Sequence, residues 1–508
     1  VARKRLIALV VSALACSPSV KDESTGEVLV VVDTDMPVPA FVSRLRVDLY
    51  GANGVWYASR DVSLARALDW PTGFGVSAAD DERVVLVRLR AYPEGGLRDY
   101  RGERFTPRLP PSNDVASLAD PPAPTTNGQP RLLGDDGTDQ TPAEEPQPLV
   151  AIDRLLRVRV APSERGVTHV TLRGACVGTM ADVAGARTCI DSDGVLVPVA
   201  IAERDDDGTP RPSSQGAFDP KSTCTAPLRT ATQDLHDDEV CVSGAMFMLG
   251  SADGDFGTAP ALPSRVAIVD AFRFDRWEVS VARWRKAIAD GFTSPDDSPT
   301  ANEGAIPPSR TDYLDPRMCS WSTTPRARET YPLTCVTQAA ARAFCRFQGG
   351  DLPTEAQWEY AAQVSGRDHK TRFVWGGDDD LVPTCDRAVW GRGELLFAGE
   401  LCTANGYGPL AIDAHVGPNG DVTPSLGITG LGGNVAEWMR DAFASFTASC
   451  WAQAGLHDPQ CVVDPSMFHT IRGGSWRDNL AGLVAANRRS WDTRTSGIGF
   501  RCARSGSP

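Results

Sequence analysis

Polar and apolar residues alternate with a period of two along the first part of the chain. In SRLRVDLY (43–50), Leu45, Val47 and Leu49 fall on one side and Arg44, Arg46 and Asp48 on the other. That alternation predicts a half-buried β-strand. EVLVVVD (27–33), GVWYAS (54–59) and RVVLVRLRAY from Arg83 repeat the signal, and LLRVRVAP and THVTLRG near 155–174 supply closing strands. Short strands at this spacing predict a β-sandwich, immunoglobulin-like, over 27–174. Residues 104–148 interrupt it with ten prolines and few apolar residues. Such a composition cannot offset its own ordering entropy, so a disordered insertion is expected there. Nothing in the sandwich carries chemistry, and it reads as a spacer or docking module.

Beyond residue 174 the pattern changes. Residues 175–240 read as a disulfide-containing linker region, and a third region over 241–505 is rich in Trp and Gly with few long periodic segments. Three short helices stand out in it. SVARWRKAIADG has Ser280 as N-cap, Val281, Trp284 and Ile288 on one face, and Gly291 past its end. TQAAARAFCRFQGG starts at Thr337 and stops at Gly349-Gly350, and PTEAQWEYAAQ opens with Thr354 and Gln357 as a capping box.

Composition narrows the class. A chain of 508 residues holds more than one domain, and 42% hydrophobic with 23% charged residues is globular. A net charge of −14 without a basic stripe argues against nucleic acid as a partner. The acidic runs at Asp205-Asp206-Asp207 and Asp378-Asp379-Asp380 complete no calcium-loop pattern and read as solvated loops.

At the N-terminus, Arg3, Lys4 and Arg5 precede an apolar stretch from Leu6 to Ala15, too short to span a bilayer as a helix. It reads as an export signal over 1–15, followed by a tether to residue 26. Ala13-Leu14-Ala15-Cys16 resembles a bacterial lipobox, which makes Cys16 the expected lipidation site and membrane anchor; plain signal cleavage is the alternative. Setting Cys16 aside leaves twelve of the thirteen cysteines, an even number that reads as six disulfides in an exported chain. Cys176/Cys189 and Cys224/Cys241 suit local bridges, Cys385 and Cys402 form a further pair, and the ten-residue gap between Cys450 and Cys461 suits another. Cys319 and Cys335 have no partner assigned by pattern.

Several strings occur in order through the third region: SGAMFMLGS, FDRWEVSVARW, CRFQGGDLPTEAQWEYAAQ, TGLGGNVAEW, IRGGSW and GIGFRCAR. Together they resemble the formylglycine-generating enzyme, or sulfatase-modifying factor, family over about half of the chain. The resemblance implies an irregular α+β fold, distantly C-type-lectin-like, with little regular secondary structure. It also implies oxidation of a sulfatase-type cysteine by dioxygen at a copper ion held by two thiolates, since copper(I) prefers soft sulfur. The family places those cysteines three residues after the Ser of GGS[YW] and five further on. Here the matching positions are Asp478 and Leu483, although Ser475 is retained. Copper is therefore not expected, and Ser475 reads as a structural hydroxyl.

The family's second bridge would join Ala362 and Arg488, and both thiols are absent; its other bridge matches Cys345 and Cys502, both present. Closing so long a loop contributes roughly 4–5 kcal/mol in the chain-entropy model. The resemblance further implies calcium at Gly433, Val435 and Glu437, although Gly430 stands where the family carries one more side-chain oxygen. It also implies a ligand groove, matched here by Trp438, Trp476, Arg488, Arg489 and Trp491, for which ordinary core packing is the alternative. The iron-dependent relatives need a His triad, whereas His415, His457 and His469 stand isolated.

Three functions follow. The first is a cell-envelope lipoprotein whose family-like domain binds a peptide or protein without oxidising it. The second is a working oxidase using other thiols, for which Cys450 and Cys461 are the candidates. The third is an adaptor in which the sandwich docks to a partner and the other domain is a rigid head.

Overall fold

The computed structural model describes residues 26–51, 56–78, 81–94, 97–99, 144–146, 148–191, 195–205, 211–220, 222–232, 235–251, 261–262, 264–306, 314–367, 370–376, 383–393, 402–403, 406–454, 456–463 and 468–508. The expected signal segment, Cys16 and nearly all of the proline-rich insertion lie outside them. The chain divides into two compact units, Val1–Asp219 and Pro220–Pro508.

The first unit is built from strands β1 (Gly26–Thr34), β2 (Arg44–Tyr50), β3 (Trp56–Ser63), β4 (Thr72–Ala78), β5 (Arg83–Tyr92), β6 (Leu97–Asp99), β7 (Glu144–Pro146), β8 (Ile152–Val160) and β9 (Arg165–Leu172). One sheet has the order β4-β1-β9, with β9 parallel to β1; the other, β3-β2-β5-β8, is antiparallel throughout. Val28, Val30 and Val32 of β1 are buried on one face, and Leu29 and Val31 are half-buried on the other.

Strand β2 departs from the half-buried expectation, because both of its faces are covered. Arg46 and Asp48 are 5% and 1% exposed. The cross-strand register stacks them with Arg88, Arg90 and Asp153, and Glu145 reaches them from β7. Arg88 grips Asp153 through two bonds of 2.9 and 2.6 Å, and Arg90 joins Asp48 to Glu145. Buried charges persist only when paired in this way.

The expected linker region is split. Its first part, closed by Cys176–Cys189, lies on the same sheet face, where Ala181, Val183 and Val199 join Tyr50, Trp56, Leu86 and Leu155 in one cluster. It contains the short pair β10 (Arg187–Thr188) and β11 (Val197–Pro198). Its last part, with Cys224–Cys241, belongs to the second unit.

That unit contains β12 (Glu239–Val242), β13 (Ala245–Leu249), β14 (Arg265–Val269), β15 (Phe272–Asp275), β16 (Ala436–Ala442), β17 (His469–Arg472), β18 (Arg489–Trp491), β19 (Ile498–Gly499) and β20 (Ala503–Ser505). They form sheets β12-β15-β20, β13-β14 and β18-β17-β16-β19. Helices are few and short: α1 (Val281–Ala289), α2 (Gln338–Phe347), α3 (Glu355–Gln363) and α4 (Ser449–Gln453). The three expected helices carry their caps. Ser280, Thr337 and Thr354 each accept an N–H from the first turn, and Gln357 completes the capping box. On α1, however, Ile288 is 45% exposed and Ala287 takes the buried place. The short α4 was not anticipated.

Trp284 stacks on Phe344 at 5.3 Å beside Phe292 and Phe500, which locks α1 and α2 to the C-terminal segment. The Cys345–Cys502 bridge fixes the same junction. All twelve cysteines from Cys176 onward are paired, with Cys319–Cys335, Cys385–Cys402 and Cys450–Cys461 completing six bridges. Six disulfides mark an exported or extracellular protein. Among the described residues no helix is long and apolar enough to cross a membrane.

Candidate functional site

The site is built on the loop after β17. Gly473 and Gly474 have φ of 93° and 75°, and a Cβ on them would lie 2.7 Å from Leu431 O and 2.6 Å from Gly482 O. Only glycine suits both the left-handed backbone and these approaches. The tight passage delivers Ser475, Trp476 and Asp478 beside the 430–435 loop, where Trp476 N–H donates to Asn434 O at 2.7 Å. The Asn479 side chain accepts from Ala481 N–H and caps the single helical turn Leu480–Leu483.

Asp478 and Ser475 form a closed polar group. The Ser475 hydroxyl donates to Asp478 Oδ2 at 2.7 Å, and the two Arg489 terminal nitrogens donate to Oδ1 and Oδ2 at 2.5 and 2.8 Å. Burial pushes the Asp478 carboxyl up, but the Arg489 guanidinium and the Ser475 hydroxyl outweigh it and hold the group below its ordinary value. Leu483 is fully buried in the main hydrophobic cluster. Neither residue fits copper(I): one is a hard carboxylate already held by an arginine, and the other has no donor atom. Cys450 and Cys461 form a disulfide and offer no thiolates.

The residues matched to a ligand groove do not line one together. Trp438 is 1% exposed in the core around α1 and α2 and donates its ring N–H to Val336 O. Trp476 is equally buried and donates to Ser496 O. Arg488 lies inside the protein, ion-paired with Glu355. Arg489 and Trp491 on β18 keep partial exposure. Size and aromaticity marked these residues in the sequence, but in a helix-poor fold large rings are what fill the interior.

The calcium set fares similarly. Both Glu437 oxygens accept from Arg501, at 2.7 to 3.0 Å, and Oε2 also accepts the Trp358 ring N–H at 2.8 Å. A carboxylate so fully donated to suits an internal salt bridge rather than a calcium ligand. A Cβ at Gly430 would lie 3.2 Å from the Glu278 carboxyl carbon, so Glu278 occupies the space beside the residue lacking an oxygen. Asn434 Nδ2 donates to Glu278 at 2.8 Å; burial and the neighbouring Glu437 push the Glu278 carboxyl well up. Among the described residues no group of three His, Cys, Asp or Glu side chains is placed to hold a metal, and His415, His457 and His469 do not converge.

A buried ion network was missed in the sequence. Arg488 donates to both Glu355 oxygens at 2.5 and 2.6 Å and lies 3.9 Å from the Phe446 ring centroid. Arg472 and Lys370 close on Glu359, and Thr470 donates to Glu355 at 2.8 Å. The available signal was two glutamates, Glu355 and Glu359, spaced i, i+4 on a helix whose other residues, Gln357 excepted, are buried.

Residues 225–506 match the family model of the sulfatase-modifying factor enzyme 1-like domain, more than half of the chain. The chain belongs to this family. A formylglycine-generating enzyme of Streptomyces coelicolor is 31% identical over 188 residues, 35% of this chain and 53% of that protein. One of Thermomonospora curvata is 26% identical over 314 residues, 54% of this chain and 96% of that protein. The protein named inactive C-alpha-formylglycine-generating enzyme 2 of Bos taurus is 28% identical over 187 residues, 35% of this chain and 52% of its own length. Against the Streptomyces and bovine relatives the chain therefore spans about half their length. Within the family, then, this member keeps the LPTE helix, the GNxxEW strand and the GGSW loop, and carries Asp478 and Leu483 where the resemblance calls for thiols.

Proposed function

We propose that this chain is a lipid-anchored protein of the cell envelope whose family domain does not oxidise cysteine and serves as a recognition or scaffold module. The observation that carries the reading is the Ser475–Asp478–Arg489 group together with the buried Leu483, which replace a thiolate pair by a satisfied ion pair and core packing. Anchoring would run through Cys16, with the first unit as an immunoglobulin-like spacer. Because Trp438, Trp476 and Arg488 are buried, a peptide or protein partner would be met by exposed loops rather than by those side chains. That favours the rigid-head reading over an open cleft.

The test measures three quantities on the mature protein: free thiols, bound copper, and aldehyde formed in air on a CxPxR-type peptide. No free thiol is expected, since lipidation would turn the Cys16 sulfur into a thioether and the other twelve cysteines are paired; nor is stoichiometric copper or aldehyde. Oxygen-dependent formation of formylglycine would overturn the proposal and reinstate the oxidase.

A further inference from the structure

In the first unit, residues 199–205 cross from the edge of one sheet to the edge of the other. Arg157 N–H donates to Ala200 O at 3.4 Å and Ala202 N–H donates back to Arg157 O at 2.8 Å on β8. At the far end Asp205 and Val167 exchange backbone bonds of 2.7 and 3.2 Å on β9. The crossing leaves a cavity of about 260 Å³, which continues past His169 and Arg211 into a second space of about 140 Å³.

Arg154 stands out among the residues that line it. The antiparallel register pairs it with Leu89 and places it on the sheet face that also carries Val87 and Leu156. Arg154 is half-buried, and a guanidinium partly withdrawn from water on an apolar face gains from a partner. Its Nη1 donates to Cys189 O at 2.9 Å, but its buried Nε has no hydrogen-bond partner, and no carboxylate of the described residues forms an ion pair with it. Burial lowers the guanidinium from its ordinary value, and the field of Asp191 offsets that only in part.

His169 Nε2, in the same wall, is also buried without a hydrogen-bond partner, with Asp205 Oδ2 3.7 Å away. Asp205 itself is held by Arg211 at 2.5 Å. Glu203 also lines the cavity, yet among the described residues Arg154 is a lining cation that no carboxylate takes up as an ion pair. At the rim, Ile190 and Ile201 are 38% and 53% exposed, an apolar lip around a charged interior.

We propose that this cavity binds a small carboxylate with an apolar body, its carboxylate taken by the Arg154 guanidinium beside the His169 ring. The planar fork of arginine matches a carboxylate, and a partly enclosed wall strengthens that bond. The space is below the usual range for drug-sized ligands, which limits the ligand to about the size of one amino acid. The carboxylate could belong to the end of a peptide or to a free short-chain acid.

The full chain is titrated calorimetrically with N-acetyl-leucine and with hexanoate, each beside its neutral amide. At least one acid should saturate a single site, with its amide and the Arg154→Met variant weaker by roughly tenfold or more. Saturation by N-acetyl-leucine alone identifies a peptide end, and saturation by both identifies the carboxylate on any small apolar body. A His169→Gln variant should also weaken the acid, and it decides the matter together with the amide comparison if Arg154→Met fails to fold. Absence of saturation by either acid, equal binding of acid and amide, or wild-type affinity in both variants overturns the proposal.

Discussion

Replacing Arg488 by methionine removes a cation from the interior while leaving Glu355 behind. Both side chains are 0% exposed, and the pair is bidentate. After the replacement, Glu355 retains the Thr470 hydroxyl at 2.8 Å and an Arg472 nitrogen only at 3.8 Å. Breaking one partner of so buried a pair costs about 3–5 kcal/mol, chiefly through the stranded charge. The urea midpoint of the second unit should therefore fall by roughly 1–2 M. Tryptophan fluorescence follows that unit selectively, because of the twelve tryptophans only Trp56 and Trp70 precede Pro220. The double variant Arg488→Met with Glu355→Gln strands no charge and should recover about 2 kcal/mol relative to the sum of the two single changes. A single variant costing less than about 1 kcal/mol, or additive single changes, would refute the assignment of this pair as a strut between α3 and the segment before β18.

Two further outcomes follow from the same interior. Asp421 is buried, and burial raises its carboxyl from 3.8 to about 7. Between those values it is protonated when folded and ionised when unfolded, so its contribution to stability is complete in acid and is lost as pH rises through about 7. Asp421→Asn should remove a slope of about 1.4 kcal/mol per pH unit over that window, seen as a difference between the two urea-midpoint profiles. Gly474→Ala forces a left-handed residue against the Gly482 carbonyl and should cost at least about 1–2 kcal/mol by the same fluorescence assay; an unchanged midpoint would contradict the loop geometry.

The helices were legible because their signals are local: a hydroxyl cap, a capping box and a glycine stop all lie within one turn of the element they bound. The family frame was legible because GNVAEW and LPTEAQWEYAA are long strings. Burial of charge was not. Arg46 and Asp48 look like a solvent face on their own strand, and only Arg90, Asp153 and Glu145, brought in by distant pairing, make that face an interior. Likewise Trp438 and Trp476 carry groove-like chemistry in the sequence, yet their depth depends on which segments pack over them. Arg154 could not be singled out, because its anomaly is a register, not a motif.

The position of β20 has a consequence for the order in which this chain can close. β20 completes the sheet that β12 and β15 begin, and Cys502 N–H donates to the buried Asp275 carboxylate more than two hundred residues upstream. A polypeptide made from its N-terminus must therefore hold that earlier segment unfinished until Cys502 and the residues of β20 have followed it. A chain cut a few residues short of Arg501 would keep an open sheet edge and an unbridged Cys345, a species that proteases could tell from the folded domain.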